Sequence, residues 1–122
     1  YFPPTQPTPK RCWDFGQAVA RAIEDWDQDK RVCIIASGGL SHFAIDEAFD
    51  RRMLDAMKSR DVDTLINEPD KLFQSGTSET KNWIVTAAAM DDSGFDMDIL
   101  DYVPCYRSEA GTGNAMGFAV WK

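Results

Sequence analysis

The chain holds a single histidine, His42, at the end of the stretch Ser37-Gly38-Gly39-Leu40-Ser41-His42. Two glycines just before it permit a sharp loop and a close approach of backbone to whatever the loop faces. Imidazole changes charge near neutral pH, so a histidine on such a loop can accept or give a proton. The plain alternative is a histidine that only ties the loop down. A second segment, Ser75-Gly76-Thr77-Ser78-Glu79, places a carboxylate where a helix is expected to begin. A carboxylate there complements the positive end of the helix dipole, and it is also a hard oxygen ligand for a divalent metal. Because His42 is the only imidazole, a metal site of two histidines and one carboxylate cannot be completed by one copy of the chain.

The elements that would hold these residues follow from hydrophobic spacing. Phe15, Ala18, Val19, Ala22, Ile23 and Trp26 recur at helical intervals between Arg11 and Asp27, which predicts an amphipathic helix with those residues inward. Arg31 to Ala36 is a short β-branched run without alternation, which predicts a strand buried on both faces, with Cys33 a small buried hydrophobe. Helix followed by buried strand is half of an α/β unit, and the glycine loop leaves that strand with His42 near its end. Asp46 to Arg60 reads as a helix with Ala48, Phe49, Met53, Ala56 and Met57 inward. A short helix over Asp61 to Ile66 stops before Pro69. Glu79 to Met90 is a third helix, with Thr77 or Ser78 as its N-cap. Phe95 to Tyr106 and Met116 to Trp121 read as strands, joined through a glycine-rich loop at Ser108 to Asn114. The expected fold is α/β, a mixed sheet with packed helices. Residues 11–122 form one domain behind a proline-rich linker or loop at 1–10, which carries four prolines in its first nine residues.

Composition excludes several classes. The net charge of −7 disfavours a nucleic-acid backbone as partner. No apolar run is long enough to span a bilayer, and no signal peptide is visible at the start. Cys12, Cys33 and Cys105 are odd in number and widely spaced, so neither a disulfide framework nor a cysteine zinc site is expected, and reduced thiols in a cytoplasmic protein are the default. The tryptophans Trp13, Trp26, Trp83 and Trp121 read as core, and Asp91-Asp92 as a solvated turn. Gly111-Thr112-Gly113 is too short for a phosphate loop.

Taken together, Ile35-Ala36-Ser37-Gly38-Gly39-Leu40-Ser41-His42, Asp50-Arg51-Arg52-Met53-Leu54 and Ser75-Gly76-Thr77-Ser78-Glu79 with Asn82-Trp83-Ile84 resemble the class III extradiol ring-cleavage dioxygenases, which open protocatechuate- and gallate-like rings. The likeness continues through Tyr102-Val103-Pro104-Cys105-Tyr106 to the C-terminus and covers only the C-terminal part of the family's catalytic subunit. The resemblance implies that His42 is the acid/base that does not bind iron. It implies that Glu79 is the carboxylate ligand of Fe(II), and that a catechol-type substrate and O2 meet at the metal to give a semialdehyde-type product. The other two ligands are histidines of the family's N-terminal part, which this sequence does not contain. The iron site is therefore incomplete here. The missing segment or another subunit is an expected partner, within an oligomer, and the chain alone is expected to be inactive. Two rivals remain: a non-catalytic binding or assembly module that kept the fold, and a scaffold that performs different metal chemistry.

Overall fold

The computed structural model describes residues 5–122. In chain order it contains α1 (Pro9–Glu24), β1 (His42–Ala44), α2 (Glu47–Ser59), α3 (Val62–Asn67), two 3-10 turns at Asp70–Phe73 and Ser75–Glu79, α4 (Thr80–Met90), β2 (Met97–Tyr106) and β3 (Thr112–Trp121). The α/β class expected from the sequence is the one observed. The sheet is small, in the order β1-β3-β2, and both of its pairings are antiparallel where a mixed sheet was expected.

α4 is the central helix. Trp83, Ile84, Thr86, Ala87, Ala88 and Ala89 are all buried, the pattern of a helix covered on most sides rather than on one stripe. α1 packs along it and takes in Pro9 and Lys10, at the end of the stretch expected to be linker. Proline is tolerated in the first turn, where its missing N–H would have no helical partner. The hydroxyl of Thr8 caps the helix by accepting from Arg11 N–H at 3.2 Å. Residues 1–4 of the expected linker lie outside the described residues. The inward stripe of α1 is Cys12, Trp13 and Gly16, whereas Phe15 and Trp26, expected inside, are 59% and 51% exposed. The cause is Gly16: a Cβ there would overlap Val85 O and Ala88 Cβ, so α1 turns its glycine face to α4 and rotates Phe15 outward.

α2 and α3 match their expected spans. Asp46 caps α2 by accepting from Phe49 N–H at 2.9 Å, and Asp61 caps α3 by accepting from Thr64 N–H at 3.1 Å. Phe49, Met53, Leu54, Ala56 and Met57 face the core, and Ala48 is exposed. Phe49 meets Phe73 edge to face at 5.3 Å. Lys81 is buried beside them, its ammonium 2.9 Å from Asp70 and 5.6 Å from the Phe73 ring centre.

The largest departure concerns residues 31–36. They form no strand. Val32 is 46% and Ile35 80% exposed, and Cys33 is exposed rather than buried. A strand is a paired structure, and among the described residues these six make no backbone hydrogen bond. They border an open groove of about 810 Å³ walled by apolar side chains that include Val32, Ile35, Phe95, Leu100, Phe118 and Val120. The glycine-rich loop is also shorter than expected. Thr112, Gly113 and Asn114 belong to β3, where a Cβ on Gly113 would overlap Cys105 O across the ladder.

Candidate functional site

The glycine loop is fixed by β3. Leu40 N–H donates to Ala115 O and Ala115 N–H donates to Ser41 O, each at 3.0 Å. These bonds extend the β1–β3 pairing, in which His42 stands opposite Asn114. His42 thus opens a short antiparallel strand instead of following the buried strand expected at 31–36. Gly38 has φ +102°, in the left-handed region that favours glycine. Its backbone passes so close to Glu79 that a Cβ would lie 2.7 Å from Glu79 Oε2. α4 holds the same loop from the other side: Asn82 Nδ2 donates to Ser37 O at 2.8 Å and Trp83 Nε1 donates to Gly38 O at 3.2 Å.

The Ser75–Glu79 turn meets this loop directly. Neither Thr77 nor Ser78 caps α4; the helix has no side-chain cap, and Glu79 stands at the cap position. Instead Thr77 Oγ1 accepts from His42 N–H at 3.2 Å and donates to His42 O at 3.1 Å. One hydroxyl so closes both backbone groups of His42 against the turn. Gly76 lies flat against the imidazole, since a Cβ there would overlap ring atoms Cδ2 and Nε2.

The result brings His42 and Glu79 together across 37 positions of sequence. His42 Nε2 is 3.7 Å from Glu79 Oε2, with the side chains 13% and 46% exposed. His42 Nδ1 lies 3.0 Å from Leu40 O. A carbonyl only accepts, so Nδ1 carries a proton, and Nε2 is the ring nitrogen that faces Glu79. Glu79 Oε2 accepts from Gly39 N–H at 3.1 Å. The pair therefore presents an imidazole able to take a proton next to a carboxylate held in place by backbone.

These segments lie within a stretch that matches a known family. The family model for the catalytic LigB subunit of aromatic ring-opening dioxygenase matches residues 4–113. The chain belongs to this family. It is 39% identical over 75 residues to the gallate dioxygenase of Pseudomonas putida, a stretch covering 60% of this chain and 21% of that enzyme. The chain thus spans about a fifth of the relative it matches. No solved structure matches it.

In this LigB-family chain a further group stands behind the histidine loop. Asp50 on α2 is fully buried and accepts from Ser41 N–H at 2.8 Å, Ser41 Oγ at 2.6 Å and the Tyr102 hydroxyl at 2.8 Å. Burial raises its carboxyl above the ordinary range, against the bonds from Ser41 and Tyr102 that favour the charged form. Burial, with Asp50 beside it, also raises the Tyr102 phenol. Asp50 and Tyr102 stand out in the sequence only as parts of longer strings, because the donors that a buried Asp needs lie far from it along the chain. A readable signal was present in retrospect: Asp50 stands between Phe49 and Met53 on the apolar face.

The donor set decides what a metal would find here. Among the described residues no three His, Cys, Asp or Glu side chains come together. Among the described residues, Glu79 offers one carboxylate oxygen, Oε1, that accepts no hydrogen bond, next to one imidazole. That suits one corner of a site with two histidines and a carboxylate, and a complete site does not fit this chain by itself.

Proposed function

We propose that this chain is the part of a non-heme Fe(II) extradiol dioxygenase that carries the carboxylate ligand, Glu79, and the acid/base, His42, for opening catechol-type rings of the gallate or protocatechuate kind with O2. The observation that carries the reading is the 3.7 Å approach of His42 Nε2 to Glu79 Oε2 within a family of ring-opening dioxygenases. Iron, when bound, supplies a centre at which a diol and O2 are held side by side and electron density passes between them.

The work of the chain's own residues follows from their geometry. Glu79 lends negative charge and one ligand position, with its orientation set by Gly39 N–H. His42, its Nδ1 proton committed to Leu40 O, uses Nε2 to take a proton from a diol hydroxyl brought beside Glu79, and returns it later. The two remaining ligand positions call for imidazoles, and the chain has none to give besides His42. They come from the portion of the longer relatives that lies outside the matched stretch. The apolar face at 31–36 supports this: a backbone unpaired among the described residues, beside an apolar groove, suits the addition of a strand from that portion. Gly38 belongs both to the groove wall and to the Glu79 contact, so a strand seated there would border the site.

The test is a measurement on the 122-residue chain alone. Anaerobic titration should show weak ferrous binding, and oxygen uptake with gallate or protocatechuate should stay at background. Robust oxygen consumption by the pure chain would overturn the partial-site reading. A complete enzyme containing the segment that opened no ring would point to the rival binding module.

A further inference from the structure

A buried carboxylate is expensive unless its hydrogen bonds are met, and its replacement by apolar side chains is often tolerated or stabilising. Asp50 therefore calls for an explanation beyond holding α2 to the sheet. Its two oxygens spend two of three accepted bonds on one residue, Ser41, the immediate neighbour of His42. Ser41 is itself 1% exposed. Its hydroxyl accepts from Asp46 N–H at 2.8 Å and its carbonyl accepts from Ala115 N–H at 3.0 Å. The backbone N–H, the side chain and the carbonyl of Ser41 are thus all committed, to α2, the start of α2 and β3 respectively. Tyr102, on β2, completes the carboxylate, and the Arg51 guanidinium lies 4.7 Å from the Tyr102 ring centre.

We propose that Asp50, supported by Tyr102, is a positioning residue for His42: by holding the backbone N–H and the hydroxyl of Ser41 it helps fix the backbone from which the imidazole is aimed at Glu79. Asp50 touches neither the imidazole nor Glu79, so it acts through Ser41 alone. The inference rests on the acid/base reading of His42. With the N–H and hydroxyl of Ser41 released and only its carbonyl held by Ala115, the ring would keep its chemistry and lose its aim, which affects turnover before substrate affinity.

The experiment is a double-mutant cycle in a complete ring-opening enzyme that contains this segment. The variants are Asp50→Asn, Tyr102→Phe, His42→Ala and Asp50→Asn with His42→Ala; kcat, KM, iron content and melting temperature are measured for each. Asparagine keeps the shape but places an N–H2 group against two hydroxyls that need an acceptor. Asp50→Asn should lower kcat on the order of tenfold to a hundredfold with KM and iron content little changed, and Tyr102→Phe should do the same more weakly. In the His42→Ala background, Asp50→Asn should cost nothing further, because it acts through the ring that has been removed. Additive losses in kcat would overturn the inference and leave Asp50 a fold residue, as would an unchanged kcat in both Asp50→Asn and Tyr102→Phe. If Asp50→Asn fails to fold, Tyr102→Phe carries the same cycle. Full turnover in His42→Ala would instead sink the functional reading underneath, and this inference with it.

Discussion

In a complete ring-opening enzyme that contains this chain, His42→Ala is expected to lower turnover by about a hundredfold to ten-thousandfold while leaving the fold in place. The backbone of residue 42 is anchored independently of the ring. Its N–H and C=O both bond Thr77 Oγ1, and Leu40 and Ser41 are held by Ala115. Alanine keeps all of these. What it removes is Nε2, the group beside Glu79 that is assigned to take a proton from a neutral hydroxyl. The loss should fall mainly on kcat, because the residue is assigned to proton movement rather than to holding the substrate. Steady-state kinetics with a circular dichroism spectrum checks both halves. Turnover within a few-fold of the parent enzyme would remove His42 from the chemistry.

Gly76→Ala is expected to cut turnover on the order of a hundredfold, although it touches no substrate. Gly76 does not stand in the left-handed region, so alanine brings no backbone strain. The cost is contact alone. The added methyl would overlap Cδ2 and Nε2 of His42 and crowd its carbonyl oxygen. Either the ring swings away from Glu79 or the Ser75–Glu79 turn backs off and carries Glu79 with it. A displacement of about an ångström at a reacting group can cost that much rate. Kinetics and iron analysis of the variant separate the two routes, since only the second disturbs the metal ligand. A Gly76→Ala enzyme with undiminished turnover would show that the ring has room the structure does not allow it.

How much was legible in the sequence depended on whether the signal was local. The spans of α2 and α3 and the two long strands follow from short-range rules of spacing, and they stand; that Asp46 and Asp61 cap the two helices is added by the structure. Residues 31–36 failed for a physical reason: an apolar run tells what a segment would bury, not whether a partner is there to bury it. Phe15 failed because periodicity alone could not rank a glycine as the contact face of α1, and Trp26 because the helix ends at Glu24, before reaching it. The site was half legible. His42 and Glu79 came from motif resemblance, and the structure brings them to 3.7 Å. Thr77 was read as a helix cap because hydroxyls before a helix usually serve that purpose, and the long-range bond to His42 has no local mark. Asp50 was hidden for the same reason, since its three donors lie 9 and 52 positions away.

The most direct test of the account compares iron content and turnover in Glu79→Ala and His42→Ala, made in a complete enzyme and measured side by side. Glu79→Ala should lose its iron, because the metal would lose the only anionic ligand assigned to it. His42→Ala should keep its iron and lose its turnover. Iron retained in Glu79→Ala, or iron lost from a folded His42→Ala, would contradict the assignment, the second by making His42 a ligand.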